Sequence, residues 1–505
     1  MVSNTISPKQ STLSLWFALI FLGASFLLSG LWVWSVATTQ SASTVYATIL
    51  ALILLGLGIV LFIRLITRPD GDLFEIVVPL TGLFLLHYPV RALFIVGWPH
   101  LTRLPINWPP NSDYYVLQGL LISTVGFVFF YLGYFWGGKD NLYKLIPKIP
   151  FPDGTQHFLW IKTLIVFSIG IYAFIILFRN GSAMRFIWDP DQNSSANIQL
   201  LDSLANFRYF ALVLAWGLWD LGRRYKFLAI LFLVISILIG LGIGSKNDIF
   251  ISLLAVLLAL HYTKNMSRTR LFGLSAVLAT GFVFIFFPLV QNYRQTYLDV
   301  IGFRTTREVT DLVDVVGLTS FSNTTSATNG NYIQSSMIDI VNRSVWLNAI
   351  VMINWRVPNY IEYQSGTTFY PLLIGWIPRV IWPDKPILSQ GSFMHNVIIG
   401  SNTQSNVGLT SIGDFYLNFS LLGVIIGMFV LGSIVRIIYL YTQNFSQVKI
   451  YQILFYFTLY PNLLFSLQSG VATGLLGIVR ISLVVMLVIT FLSLGASKKH
   501  VSKPL

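Results

Sequence analysis

Residues 44–66 read TVYATILALILLGLGIVLFIRLI, an apolar run without a charge until Arg64. About 20 helical residues cross a hydrocarbon core of about 30 Å. Inside lipid every backbone N–H and C=O must be bonded within the chain, so a run of this kind is a helix. Comparable runs occur near 13–36, 72–97, 114–137, 158–178, 203–222, 226–243, 247–263, 271–292, 415–441, 449–468 and 471–495. The pattern predicts an all-α polytopic membrane protein of about twelve transmembrane helices. The run at 13–36 is too long for a signal peptide and lacks a small-residue cleavage site, so it is read as a membrane helix.

Only 10% of the residues are charged and none is cysteine, which excludes disulfides, a thiolate nucleophile and a thiolate-held metal. The net charge of +13 is not a nucleic-acid signature, because the cations sit in short loop clusters rather than in a basic domain. Arg64 and Arg68, Lys139 to Lys148, Arg223 to Lys226, Lys264 to Arg270, Lys449 and the tail lysines all fall on one side of the predicted bundle. The positive-inside rule makes that side cytoplasmic, with both termini inside.

Fourteen cations remain on the other side or in the outer halves of helices, and twelve of them are arginine, against seven of eighteen inside. Arginine offers a planar fork of donors suited to phosphate or carboxylate. Some of these side chains would anchor to headgroups or pair with acids, and the rest point to an anionic ligand handled from the outer face.

The organisation is predicted as membrane helices over 1–292, a large periplasmic loop over 293–414, and membrane helices with a basic tail over 415–505. A loop of that length is unusual unless it carries function. Residues 338–355 have the apolar spacing of an amphipathic helix, and 369–381 form a second apolar, aromatic stretch broken by proline. Both are expected to lie at the outer interface, where Trp and Tyr are favoured. The alternative makes 338–355 a membrane span.

Two Asp-x-Asp triplets, at 70–72 and 189–191, sit in turn-forming RPDGD and WDPDQ. The six histidines are scattered, so neither a metal nor a cofactor is expected. In the turn GSKND, 244–248, Gly and Asn suit ordinary helix capping, and Lys246 alternatively faces a ligand cavity. In WIPRVIWPDKP, 376–386, three prolines preclude a regular helix and hold Arg379 and Lys385 on a stiff frame. That stretch reads either as a structural corner meeting lipid or as an anion clamp.

The pair Tyr293-Arg294 closing a span, GTTFYPLLIGWIPRVIWPDKP at 366–386, His395 beyond it and GDFYLNFSLLGVIIGMFVLG at 413–432 together resemble the bacterial oligosaccharide repeat-unit polymerases, the Wzy-type O-antigen polymerases. The likeness is strongest over about 240–435, and GSKND is similar to a Gly/Ser-Ser-Arg turn of related enzymes, with Lys246 in place of arginine. The resemblance implies transfer of glycan from an undecaprenyl diphosphate carrier to the non-reducing end of another lipid-linked unit. It also implies the bilayer and a chain-length regulator as candidate partners. On this reading Arg379 and Arg356, with Arg343, Arg294, Lys246 and Lys385, hold the diphosphate. His395 or Glu362 is the candidate base, and Tyr370, Trp376 and Trp382 contact sugar or prenyl chain. The rivals are an O-antigen ligase, differing in acceptor, and a flippase or exporter of the same lipid-linked glycan.

Overall fold

The computed structural model describes residues 41–68, 72–137, 142–147, 158–180, 196–264, 266–300, 332–377, 382, 390–400, 408–445 and 448–494, and these are helical with no strand. Ten helices are long and apolar enough to cross a membrane. In chain order they are α1 (Ala42–Thr67), α2 (Val77–Gly97), α3 (Ser112–Gly137), α4 (Leu159–Arg179), α5 (Asn197–Gly217), α6 (Arg223–Gly242), α7 (Lys246–Lys264) and α8 (Thr269–Gln291). After two intervening helices, α9 (Tyr332–Arg343) and α10 (Trp346–Arg356), come α11 (Ser411–Gln443), α12 (Lys449–Ser466) and α13 (Val471–Ser493). Helices α11 and α13 complete the ten. The run at 13–36 lies outside the described residues.

Helix α12 covers the residues expected to span at 449–468 but, with its tyrosines, Gln452, Pro461 and Asn462, is not one of the ten; it packs against α5, α7, α11 and α13. Residues Ile453 to Pro461 are buried without interruption, which explains its composition. A helix enclosed on every side has no outer face to set apart. Its tyrosines therefore reach partners inside the bundle, as Tyr456 does in donating to the Phe74 carbonyl.

Proline and glycine mark where the helices deviate. Pro89 sits in a π turn over Leu86–Val90, and the π turn Phe282–Phe286 precedes Pro288 in α8, where a missing N–H disrupts the ordinary ladder. Helix α11 is broken at Phe419 and Ser420, so its first turns, carrying Asp414 and Asn418, run in a different direction from the rest.

Residues 338–355 depart from expectation. The chain breaks after Arg343, and α10 is buried from Trp346 through Asn354, packed on α3 and α11 rather than lying at an interface. At 11 residues it is roughly 16 Å long, too short to span a bilayer. Its two buried asparagines, Asn348 and Asn354, are satisfied internally. Asn348 Oδ1 accepts from Arg91 Nε at 3.0 Å, while Asn354 donates to Gln118 Oε1 at 2.6 Å and accepts from Tyr416 at 2.8 Å. Its apolar periodicity therefore reports one core-facing stripe on a helix that is enclosed all round. Gly119 of α3 permits the approach, since a methyl there would stand 3.1 Å from Val351 and 3.2 Å from Leu347.

Polar residues gather at two opposite ends of the bundle. At one, Arg68 and Arg436 pair with Glu75, and Asp72 meets His261, Tyr262 and Tyr439. The triplet at Asp70 thus contributes Asp72 to a buried network. At the other end lie the turn at 243–246, Arg294, Arg343 and the segments around 103 and 366.

Candidate functional site

The turn between α6 and α7 brings the first cations together. Ser245 N–H bonds to the Gly240 carbonyl at 2.7 Å, closing α6 and starting α7 at Lys246. Lys246 Nζ donates to Gln291 Oε1 at 3.0 Å and stands 3.2 Å from the centre of the Phe287 ring. Arg343, at the end of α9, donates to the same Gln291 oxygen at 3.2 Å, with its guanidinium 5.6 Å from the same ring. From the helix that prolongs α8, Phe287–Val300, Arg294 Nε donates to the Gly244 carbonyl at 2.6 Å, and the neighbouring Tyr293 donates to Gly242. Three residues of the predicted set, from three separate parts of the chain, therefore converge.

Among the described residues one carboxylate, Asp339, faces this group, and Arg103 stands 3.8 Å from it. Burial and the charge of Arg343 push the Arg294 guanidinium down to about 10. Burial lowers Arg343 as well; Asp339 opposes the shift and Arg103 adds to it. Among the described residues, four cations against one acid make a centre that favours a multiply charged anion.

Next to it lies a cavity of about 280 Å³ lined by Arg103, Asn342, Asn348, Met352 and His395. His395 is buried in the π turn Met394–Ile399. The wall is fixed by Arg91, whose guanidinium bonds Asn348, the Val341 carbonyl, Asn342 and the Arg103 carbonyl at 2.8–3.2 Å. Arg103 N–H in turn donates to Asn342 Oδ1 at 2.8 Å.

The remaining predicted residues lie elsewhere. Arg356 is at the far end of α10 from Arg343, stacked on Trp355 and Tyr360 at 4.4 and 5.7 Å, so the two are not brought together. Its buried Nε has no hydrogen-bond partner among the described residues. Glu362 is exposed and makes no ion pair with the cations among the described residues. Tyr370 and Trp376 are exposed, and Trp376 donates to the Leu373 carbonyl at 2.7 Å. Trp382 is half-buried. Arg379 and Lys385 lie outside the described residues.

Sequence reading assigned no site role to Gln291, Phe287, Asp339 or Arg103. It also missed the node that ties residues 366–368 and Gln390 to the helices α11 and α13. Asp414 accepts from Thr368 at 2.5 Å, Gln390 at 3.2 Å, Asn418 at 3.2 Å and the Val471 N–H at 2.8 Å. Asn418 takes the Gly366 N–H at 2.8 Å and Gln390 takes Thr473 at 2.8 Å. An acid in the first turn of a long apolar helix was the available signal.

Comparison with protein-family models, with curated proteins and with solved structures returned no match.

Proposed function

We propose that the protein is a membrane glycosyltransferase that polymerises lipid-linked oligosaccharide repeat units, moving glycan from undecaprenyl diphosphate to the non-reducing end of another lipid-linked unit. The observation that carries this reading is the convergence of Lys246, Arg294 and Arg343, with Arg103, on one face beside a cavity that holds His395. Its reaction class rests on the motif resemblance over 240–435. The cationic end is assigned to the outer face of a bacterial plasma membrane, since the positive-inside loops belong to the opposite end.

Diphosphate is already a good leaving group, so the chemistry needs position and charge stabilisation more than covalent help. The donor diphosphate seats against Lys246, Arg294 and Arg343. The acceptor hydroxyl oxygen bonds to the anomeric carbon as the bond from that carbon to the diphosphate oxygen breaks. The leaving oxygens carry the charge that the four cations stabilise, and the hydroxyl proton passes to His395 as candidate base. Arg379 and Lys385 remain part of this proposal on sequence grounds.

Purified protein in nanodiscs, given lipid-linked repeat units, should yield longer glycan together with free carrier diphosphate. Polymer formed at the wild-type rate by the Lys246→Ala and Arg343→Ala variants would sink the proposal. In cells, loss of the gene should leave single-unit products, whereas carrier-linked polymer would indicate the ligase instead.

A further inference from the structure

Helix α7 carries different chemistry on its two sides. Lys246 faces α8, while Asp248, two residues on, faces α5 and accepts from Arg208 and Tyr209. The Arg208 guanidinium also lies 5.0 Å from the Phe174 ring and 4.6 Å from that of Tyr209. Beside this group is a cavity of about 270 Å³ walled by α4, α5, α7, α12 and α13. It shares no lining residue with the cavity that holds His395.

Its polar wall comes from Asp202, Asn206, Asp248, Thr458 and Asn462. Helix backbone holds several of these side chains in place. Asn206 donates to the Asp202 carbonyl at 3.0 Å, Thr458 to Leu454 at 2.7 Å and Asn462 to Thr458 at 3.1 Å. Pro461, also in the wall, has no N–H and so removes the helical partner of the Phe457 carbonyl beside the cavity. Phe174 and Phe465 supply apolar faces.

The occupant can be chosen by exclusion. A prenyl chain would lay hydrocarbon against a cavity surface that is mainly polar, where it has nothing to offer the remaining lone pairs and protons. A phosphate would meet the carboxylates of Asp202 and Asp248, and the one cation among the described residues of the wall, Arg208, is paired with Asp248. A sugar ring fits, because its hydroxyl rim both donates and accepts while its C–H face suits an aromatic side chain.

We propose that this cavity is a saccharide subsite, which takes one sugar ring of a lipid-linked glycan whose diphosphate sits across α7 at the cation cluster. The two sites are separated by about one helix diameter, roughly 10 Å. The assignment rests on the glycan-transfer reading for the source of the sugar.

Full-length protein in nanodiscs can be probed by saturation-transfer NMR with the methyl glycosides of a hexose, an N-acetylhexosamine and a deoxyhexose. At least one should give a signal that falls about tenfold in Asn462→Leu and in the isosteric Asp202→Asn. The signal should persist in Lys246→Gln and under excess pyrophosphate. Absence of signal from the unmodified protein, or a signal that neither cavity substitution changes, overturns the subsite. Retained pyrophosphate binding shows that both variants are folded. Binding that depends on Asn462 in a protein that makes no polymer keeps the subsite and refutes the transfer reading. Polymer synthesis with glycoside binding indifferent to both substitutions does the reverse.

Discussion

Lys246 and Arg343 donate to the same atom: Oε1 of Gln291 accepts from Lys246 Nζ at 3.0 Å and from Arg343 Nη2 at 3.2 Å. Two cations over one phenyl ring, sharing one neutral acceptor, repel each other. An anion bound between them converts that repulsion into binding energy, which is the physical basis of the proposed site.

Gln291→Glu should place a permanent anion between the two cations. Charge-assisted bonds contribute about 1.5–3 kcal/mol, so thermal stability in detergent should rise. Pyrophosphate affinity, read by titration calorimetry, should fall about tenfold or more because the site is already filled. Unchanged affinity would show that the diphosphate binds elsewhere.

Arg343→Ala should lower polymerisation in nanodiscs by about 100-fold with normal protein levels, the usual cost of removing one positioned electrostatic donor. Arg343→Lys should recover only part of this, since a point charge cannot reproduce the planar fork. Complete recovery by lysine would reduce the residue to its charge alone.

Asp72 predicts the acid limit of stability. Burial raises its carboxyl, but hydrogen bonds from His261, Tyr262 and the Phe74 N–H outweigh burial and hold it below 3.8. A depressed carboxylate contributes stability that is complete above its unfolded value, near 3.9, and is lost as pH falls through the lower folded value. Melting temperature in detergent should therefore be flat from pH 7 to about 5 and drop below about 4. Asp72→Asn should lose about 1–3 kcal/mol at neutral pH and show a shallower acid limb. An identical limb in the variant would assign the transition to other carboxylates.

Asp414→Ala should loosen the contact of residues 366–368 with α11 and α13. It strands the Val471 N–H and the Thr368 hydroxyl, at about 1–3 kcal/mol for each buried donor left unpaired, while Gln390 and Asn418 keep bonds to Thr368. Limited proteolysis should show new cleavage near 366–390 before the membrane helices are lost. Protection equal to the unmodified protein would show that the segment is held by other contacts.

Gly133→Ala tests the contact of α3 with α11. A methyl at Gly133 would stand 1.9 Å from the Phe429 carbonyl, and one at Gly432 would stand 2.1 Å from that of Phe130. Close backbone approach of this kind is how membrane helices gain packing without a hydrophobic driving force. The variant should fall in folded yield, whereas Gly273→Ala, with open space around it, should not.

The apolar runs determined that this chain is a helical membrane protein, because continuous runs of about 20 apolar residues satisfy their backbone in lipid as helices, and α1 to α8, α11 and α13 lie close to where their sequences place them. Three candidate cations were legible as well, since Lys246 and Arg294 flank predicted helix ends on the side with excess arginine and Arg343 follows them in the long loop. Their meeting at Gln291 was not, because hydrophobic period reports which face of a helix is greasy and says nothing about which helix it will touch. The same limit hid α10: its single apolar stripe suggested an interface, and only packing against α3 and α11 showed that its asparagines find buried partners. Arg356 was grouped with Arg343 by residue type and is separated from it by the length of a rigid helix. Asp414, read only as part of a motif opening a helix, became an anchor because three donors from distant parts of the chain, Thr368, Gln390 and the Val471 N–H, converge with Asn418 on one carboxylate. Local sequence determines which segments enter the membrane, while long-range polar contacts, formed only once the helices are packed, decide which side chains share a site.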